Sequence, residues 1–301
     1  GFSNRTSYSN NCQQKVELKM SNYSRIIAGC MSWGHWGKDL STEEMIAQMH
    51  ATLEAGITTF DHADIYGDYT TEARFGKAFA KSGVERESIQ LISKCGIQYV
   101  GETRDNTIKH YDYSKDYIVW SVEKSLSDLQ TDYLDLLLLH RPSPLMQADE
   151  IAEAIAQLKE EGKILNFGVS NFTPSQVDLI HNKAEITANQ IEFSLTQHSA
   201  MHDGSLDHMT LNNIVPMCWS PLGSVFREET EATTRVKTAL KPLTEKYNAT
   251  EDQLLLAWIL KHPSRIHPVI GTPNTTRLAN AVNAIEIELE LQDWFALLVA
   301  Y

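Results

Sequence analysis

No apolar run in this 301-residue chain approaches the roughly 20 residues a helix needs to cross a bilayer, and no basic start precedes an apolar core at its beginning. A membrane span and a secretory leader are therefore not expected, and a cytoplasmic protein is. Cysteine is scarce and scattered, since Cys12, Cys30, Cys95 and Cys218 include no C-x-x-C pair. Such spacing builds neither a zinc ribbon nor a thioredoxin-type motif, and reduced thiols are expected. Positive charge is short as well, with 26 Lys and Arg against 39 Asp and Glu, for a formal charge of −13. Without a basic cluster to overcome that repulsion, nucleic acid and acidic membrane surfaces are not expected partners. No two of the 15 glycines are separated by a single residue, so the G-x-G-x-x-G fingerprint of a Rossmann dinucleotide site is missing. No Pro-rich or low-complexity stretch marks a linker, which leaves one large domain as the simplest organisation.

What is present is a repeated alternation. Apolar residues make up 42% and charged residues 22% of the chain, enough to bury a large core. Residues 1–24 read as a polar N-terminal segment, a loose end or a short hairpin, and residues 25–301 as the folded unit. Within it, "RIIAGC", "ITTFD", "IQLISKC", "LDLLLLH", "ILNFGVS", "ITANQIE", "IVPMCWS" and "HPVIGT" are candidate strands rich in Ile, Val and Leu. Amphipathic stretches lie between most of them. "STEEMIAQMHATLEAG" places Ser41 and Glu44 at capping-box spacing and stops at Gly56. "KDYIVWSVEKSLSDL" puts Ile118, Val122, Leu126 and Leu129 on one face, and "DEIAEAIAQLKEEG" repeats that pattern. Eight strands alternating with helices predict an α/β fold, a closed parallel (β/α)8 TIM barrel. Its active site lies at the C-terminal ends of the strands, which draws attention to Asp61, Lys94, His140, Ser170, Asn171, Gln190, Trp219, Ser220 and Thr272.

The densest of these ends, "FDHADIYGDY", invites a metal reading on Asp61, His62 and Asp64. Neighbouring strand residues face opposite ways, however, and the other strand ends offer Lys94, Asn171 and Gln190 rather than further ligands. A second cluster, His202, Asp203, Asp207 and His208, contains a Gly and reads as a polar loop or helix entry, so no metal is expected. Proton transfer fits better. A carboxylate at Asp61 can hold the Lys94 ammonium, the ammonium can stabilise a phenolate at Tyr66 and lower its pKa, and His140 can polarise a carbonyl oxygen placed between them. An uncompensated Lys ending a buried strand is costly, so Lys94 itself calls for a partner such as Asp61. His62 and Asp64 are assigned least chemistry, Asp64 as a loop or cap residue.

These residues resemble the aldo-keto reductases, in particular their shorter bacterial branch, over nearly the whole chain from about Arg25. In that family an Asp and a Tyr separated by four residues follow the second strand, a Lys ends the third and a His ends the fourth, which match Asp61, Tyr66, Lys94 and His140 in order. The resemblance implies reduction of an aldehyde or ketone with hydride from NADPH and a proton from Tyr66, or, alternatively, an NADPH-binding sensor with little turnover. It further implies that Ser170, Asn171 and Gln190 bind the nicotinamide carboxamide, and that "CWSPLG" supplies a stacking ring at Trp219 and a pyrophosphate loop through Ser220, Pro221, Leu222 and Gly223. Gly271, Thr272, Arg277 and Asn280 would form the adenosine-phosphate end. The chain departs from the family at Trp219, often Tyr; at Gly271, often basic; and at Asn280 and Ala281, often Glu and Asn. Trp33, Trp36 and Tyr111 are candidates for the pocket of a small carbonyl substrate, and the long loop after Lys94 for its lid or wall. For Trp294 and Phe295 near the C-terminus, core packing is expected.

Overall fold

The computed structural model describes residues 22–301. The expected segment at residues 1–24 thus lies almost wholly outside the described residues. Eight strands close a parallel barrel: β1 (Ile27–Gly29), β2 (Thr59–Asp61), β3 (Gln90–Cys95), β6 (Leu134–Leu139), β7 (Ile164–Ser170), β8 (Ala188–Glu192), β9 (Val215–Trp219) and β10 (His267–Ile270). All eight sit inside the apolar runs, β7 matching its run whole and the other seven trimmed at one end or both. Closure comes from β1, which pairs β2 on one side through Gly29 and Asp61 and β10 on the other through Ile27 and Val269.

The run "LDLLLL" shows why barrel strands read as almost unbroken apolar segments. Leu136 and Leu138 point to the barrel interior, packing with Ile27, Ile92, Ala188 and Met217, while Leu134, Leu137 and Leu139 join the layer between sheet and helices. Both faces are covered, so the strand is apolar except at Asp135, whose carboxylate accepts from Arg86 and the Leu91 N–H. The helices supply the outer cover. Ser41 closes a capping box with Glu44 at the start of helix Thr42–Glu54, and helix Lys115–Leu129 buries Ile118, Val122, Leu126 and Leu129. Gly76 lets helix Thr71–Ser82 come so close to Lys115–Leu129 that a Cβ there would lie 1.9 Å from the Asp128 carbonyl oxygen. At the chain's end, Trp294 stacks on Trp258 at 4.9 Å and each indole N–H donates to the other's carbonyl oxygen. Phe295 differs from expectation, lying half exposed on the outer face of helix Leu291–Ala300.

The close helix pair encloses an acid couple behind the barrel wall. Glu72 accepts hydrogen bonds from Ser93 at 2.7 Å and Ser125 at 2.8 Å, while Asp64 accepts one from Ser121 at 3.1 Å. Asp64 lies in the turn before Tyr66, a loop position as expected, but it is buried there. Burial pushes the Asp64 carboxyl up to about 7, reinforced by the charge of Glu72 and opposed by Arg104, the Ser121 hydroxyl and the Ile65 N–H. Burial likewise raises Glu72 to about 7 against the two serine hydroxyls and Lys124, with Asp128 adding to the rise. Both groups hold a proton to higher pH in the fold than in the unfolded chain. This contribution to stability is therefore complete below about pH 4 and is lost as pH rises toward 7. Glu72→Gln should remove on the order of 2 to 3 kcal/mol of the stability change between pH 5 and 8, read by urea denaturation at both. An unchanged slope would mean that Glu72 is ionised in the fold.

Candidate active site

The polar mouth of the barrel begins where its apolar layers end. Asp61 closes β2, Lys94 is the fifth residue of β3, and His140 follows β6 directly. Tyr66 opens the short turn Tyr66–Tyr69, in which Gly67, Asp68 and Tyr69 all have positive φ. That left-handed run turns the chain sharply and is anchored by Asp68, whose carboxylate accepts from the N–H groups of Glu102 at 2.8 Å and Thr103 at 3.2 Å. The long loop after Lys94 is held to the same turn.

Lys94 is buried and donates to Asp61 Oδ2 at 2.8 Å, His62 O at 2.9 Å and Tyr66 Oη at 3.1 Å. Three donors meet three acceptors, so the ammonium has no N–H left for another partner. Because the Tyr66 oxygen accepts from Lys94, its own hydrogen is directed elsewhere. Asp61 Oδ1 accepts from Gln190 Nε2 at 3.0 Å, which occupies both carboxylate oxygens. His62 packs edge-on to Phe75 with ring centroids 4.3 Å apart, and burial lowers its pKa to about 3. Among the described residues, no three His, Cys, Asp or Glu gather in a ligand-like group.

Burial acts on Lys94, Tyr66 and His140, which with Asp61 form the tetrad of the site. It opposes the Lys94 charge, but the negative charge of Asp61 and the phenol together outweigh it and raise the ammonium pKa. It also raises the Tyr66 pKa; Lys94 pulls the other way, and Asp61 adds to the rise. The net direction corrects the expectation of a lowered phenol pKa, and its cause is depth: spacing reveals the neighbouring ammonium but not the loss of water. Tyr66 is consequently a protonated donor at neutral pH. His140 is held well below its usual pKa by burial, then by the positive charges of Lys94, Arg141 and Lys109. Its ring stands at 82° to that of Tyr66, 6.3 Å away between centroids.

These groups open into a cleft of about 610 Å³. Asp61, Tyr66, Lys94 and His140 share its lining with Ser170, Asn171, Gln190, Trp219, Ser220, Pro221 and Gly271. Trp219 Nε1 donates to Asn171 Oδ1 at 2.9 Å, and Asn171 Nδ2 donates to His140 O and Ser170 Oγ, both at 3.2 Å. Ser170 Oγ in turn donates to Gln190 O at 2.8 Å. A hydrogen-bonded chain thus runs from the indole through Asn171, Ser170 and Gln190 to Asp61, Lys94 and Tyr66. After Trp219 the backbone turns with positive φ at Ser220 and Gly223, where a Cβ would lie 2.0 Å from Thr196 Oγ1.

The sequence pattern of the Aldo/keto reductase family matches residues 25–297. The chain belongs to that family. The uncharacterized oxidoreductase YcsN of Bacillus subtilis (strain 168) is 40% identical over 294 residues, covering 95% of this chain and 97% of the other. A 6-dehydroglucose reductase of Agrobacterium fabrum (strain C58) is 38% identical and covers 94% of both chains. A solved thermostable aldo-keto reductase, Tm1743, in complex with the inhibitor epalrestat, superposes with a TM-score of 0.79 at 26% identity, covering 92% of this chain and 95% of that one.

In this aldo-keto reductase, an oxidoreductase of a family that typically uses NAD(P)H, the residues read from the sequence divide into those that meet at the cleft and those that do not. Trp33 does not. The 3-10 turn Met31–Trp33 sends its ring into the core, T-shaped to Phe60 at 6.0 Å, and leaves Met31 and Ser32 on the cleft wall. Tyr111 also lies away from the cleft, on the short hairpin β4 (Ile97–Gln98) and β5 (His110–Tyr111), where it packs toward the core. Trp36 lines the cleft with Tyr99, their rings 5.1 Å apart. Leu222 packs against the core rather than the cleft. Thr272 accepts from the Asn274 N–H at 3.1 Å, Arg277 is exposed in the first turn of helix Thr275–Asn283, and Asn280 presents its carbonyl to Gln253 at 2.9 Å. Sequence reasoning passed over Ile65 and Arg141 as lining residues, while Ile97 and Lys109 lie on the long loop expected as a lid or wall. Arg141 directly follows His140, a strand-end position that could have marked it.

Proposed function

We propose that this chain reduces an aldehyde or ketone to the alcohol with NADPH. The observation that carries this reading is the saturated ammonium of Lys94: with all three N–H groups engaged and the phenol oxygen accepting one of them, the Tyr66 hydrogen faces the cleft. A carbonyl oxygen seated between Tyr66 and His140 accepts that proton as its carbon gains a hydride, and solvent later restores the phenol. His140, kept neutral, donates from its ring N–H to the same oxygen and steers it without competing as an acid. Lys94 stabilises the phenolate left behind, and Asp61 keeps Lys94 in place.

The donor set beside the tetrad suits a nicotinamide, which would supply the hydride. Trp219 offers an aromatic face held in place by Asn171 Oδ1, Gln190 offers its amide oxygen while its N–H holds Asp61, and Ser220 and Pro221 border the cleft along the turn. By the family resemblance, Thr272 and Arg277 are the hydroxyl and guanidinium fork that would receive a 2′-phosphate, which supports NADPH over NADH. The name of the Agrobacterium relative, a reductase of a dehydro sugar, supports the reductive direction. Titration of the apoprotein by tryptophan quenching should give tighter binding of NADPH than of NADH, followed by loss of nicotinamide absorbance with a panel of aldehydes and ketones. Failure to bind either nucleotide would overturn the reading.

A further inference from the structure

The lining of the cleft is mixed in chemistry. Part of it is apolar, formed by Met31, Ile65, Ile97 and the Trp36–Tyr99 pair. The same lining holds His140 and two cations, Lys109 directly before β5 and Arg141 two residues after β6. The only carboxylate in the lining is Asp61, whose oxygens are taken by Lys94 and Gln190. Among the described residues neither Lys109 nor Arg141 has a carboxylate partner. Two cations without a carboxylate partner thus line the cleft that holds Tyr66 and His140, in a chain whose formal charge is −13. Their field reaches His140, where both add to the suppression of its basicity. Like charges gathered at a cleft without a counter-charge are mutually destabilising until an anion enters, and the walls of a cleft strengthen that attraction.

We infer that the carbonyl compound reduced here carries an anionic group, a carboxylate, phosphate or sulfonate, held by Lys109 and Arg141 while the Trp36–Tyr99 wall takes its apolar body. The inference rests on the reading of the site as a carbonyl reductase. Arg141 can grip two oxygens of any of the three groups with its planar fork, and Lys109 adds a point charge from the mobile end of a long side chain. Such contacts are made equally before and during hydride transfer, so they act on KM more than on kcat.

The test compares 4-carboxybenzaldehyde, 4-formylphenyl phosphate and 4-formylbenzenesulfonate with the uncharged methyl 4-formylbenzoate, using the full chain and NADPH. At least one anion should exceed the ester in kcat/KM by roughly tenfold to a hundredfold, the scale of hydrogen bonds to charged groups, and identify which anion is preferred. The advantage should lie in KM, shrink as salt is added, and fall toward one in the Lys109→Ala/Arg141→Ala double variant. An ester reduced as well as every anion, or a ratio unmoved by the double variant, would overturn the anion site. Calorimetric titration of the same four compounds separates the two readings. Charge-selective binding without turnover keeps the anion site and counts against reduction, whereas turnover without charge selectivity does the reverse.

Discussion

Tyr66→Phe is expected to leave NADPH affinity within about twofold of the parent while lowering turnover roughly 10²-fold or more, the usual scale for loss of a general acid. The ring keeps its place beside Ile65 and His140, and only the oxygen that accepts from Lys94 and faces the cleft is removed. Cofactor affinity is read by tryptophan quenching and turnover by nicotinamide absorbance. Because the phenol is raised in pKa by burial, the parent should also keep its activity to alkaline pH rather than lose it near neutrality. Parent-like turnover in the Phe variant would remove Tyr66 from the chemistry.

Lys94→Met should be the most damaging single change to the fold among the tetrad. It deletes an ammonium whose side chain is 1% exposed and leaves Asp61, 2% exposed, with Gln190 as its remaining hydrogen-bond donor. Breaking a buried pair in this way costs about 3 to 5 kcal/mol, a large share of the roughly 5 to 15 kcal/mol that holds a domain folded. The loss is mainly the penalty of a stranded carboxylate, so the double variant Asp61→Asn/Lys94→Met should recover much of the stability. Activity should not return with it. Urea midpoints for the parent, single and double variants, with turnover measured on each, check both halves; a single variant as stable as the parent would mean that the buried pair adds nothing to stability.

What could be read before the fold was known follows from how each feature is encoded. The eight strands were legible because a barrel strand is covered on both faces, so that Leu134 to Leu139 carry one polar residue among six. Asp61, Lys94 and His140 were legible because each ends such a run, and a charge there must have a reason. Depth and direction were not. Spacing placed Trp33 beside a strand end but could not show that a 3-10 turn would rotate its ring into the core and expose Met31 instead. The same blindness to depth reversed the direction for Tyr66 and hid the burial of Asp64 and Glu72, ordinary surface residues by type. Lys109 joins the cleft only because a hairpin pairs Gln98 with His110, a loop conformation that no periodicity announces.

The contact of Gln190 with Asp61 bridges 129 positions of sequence, and through Asn171 it continues to the indole of Trp219. For anyone redesigning this protein, the proposed nicotinamide seat and the proposed proton donor are therefore not separable modules. A library that varies positions 171, 190 and 219 to accept a different cofactor also varies the scaffold that aims the phenol. Gains in cofactor scope and losses in turnover should travel together unless position 61 is varied in the same library.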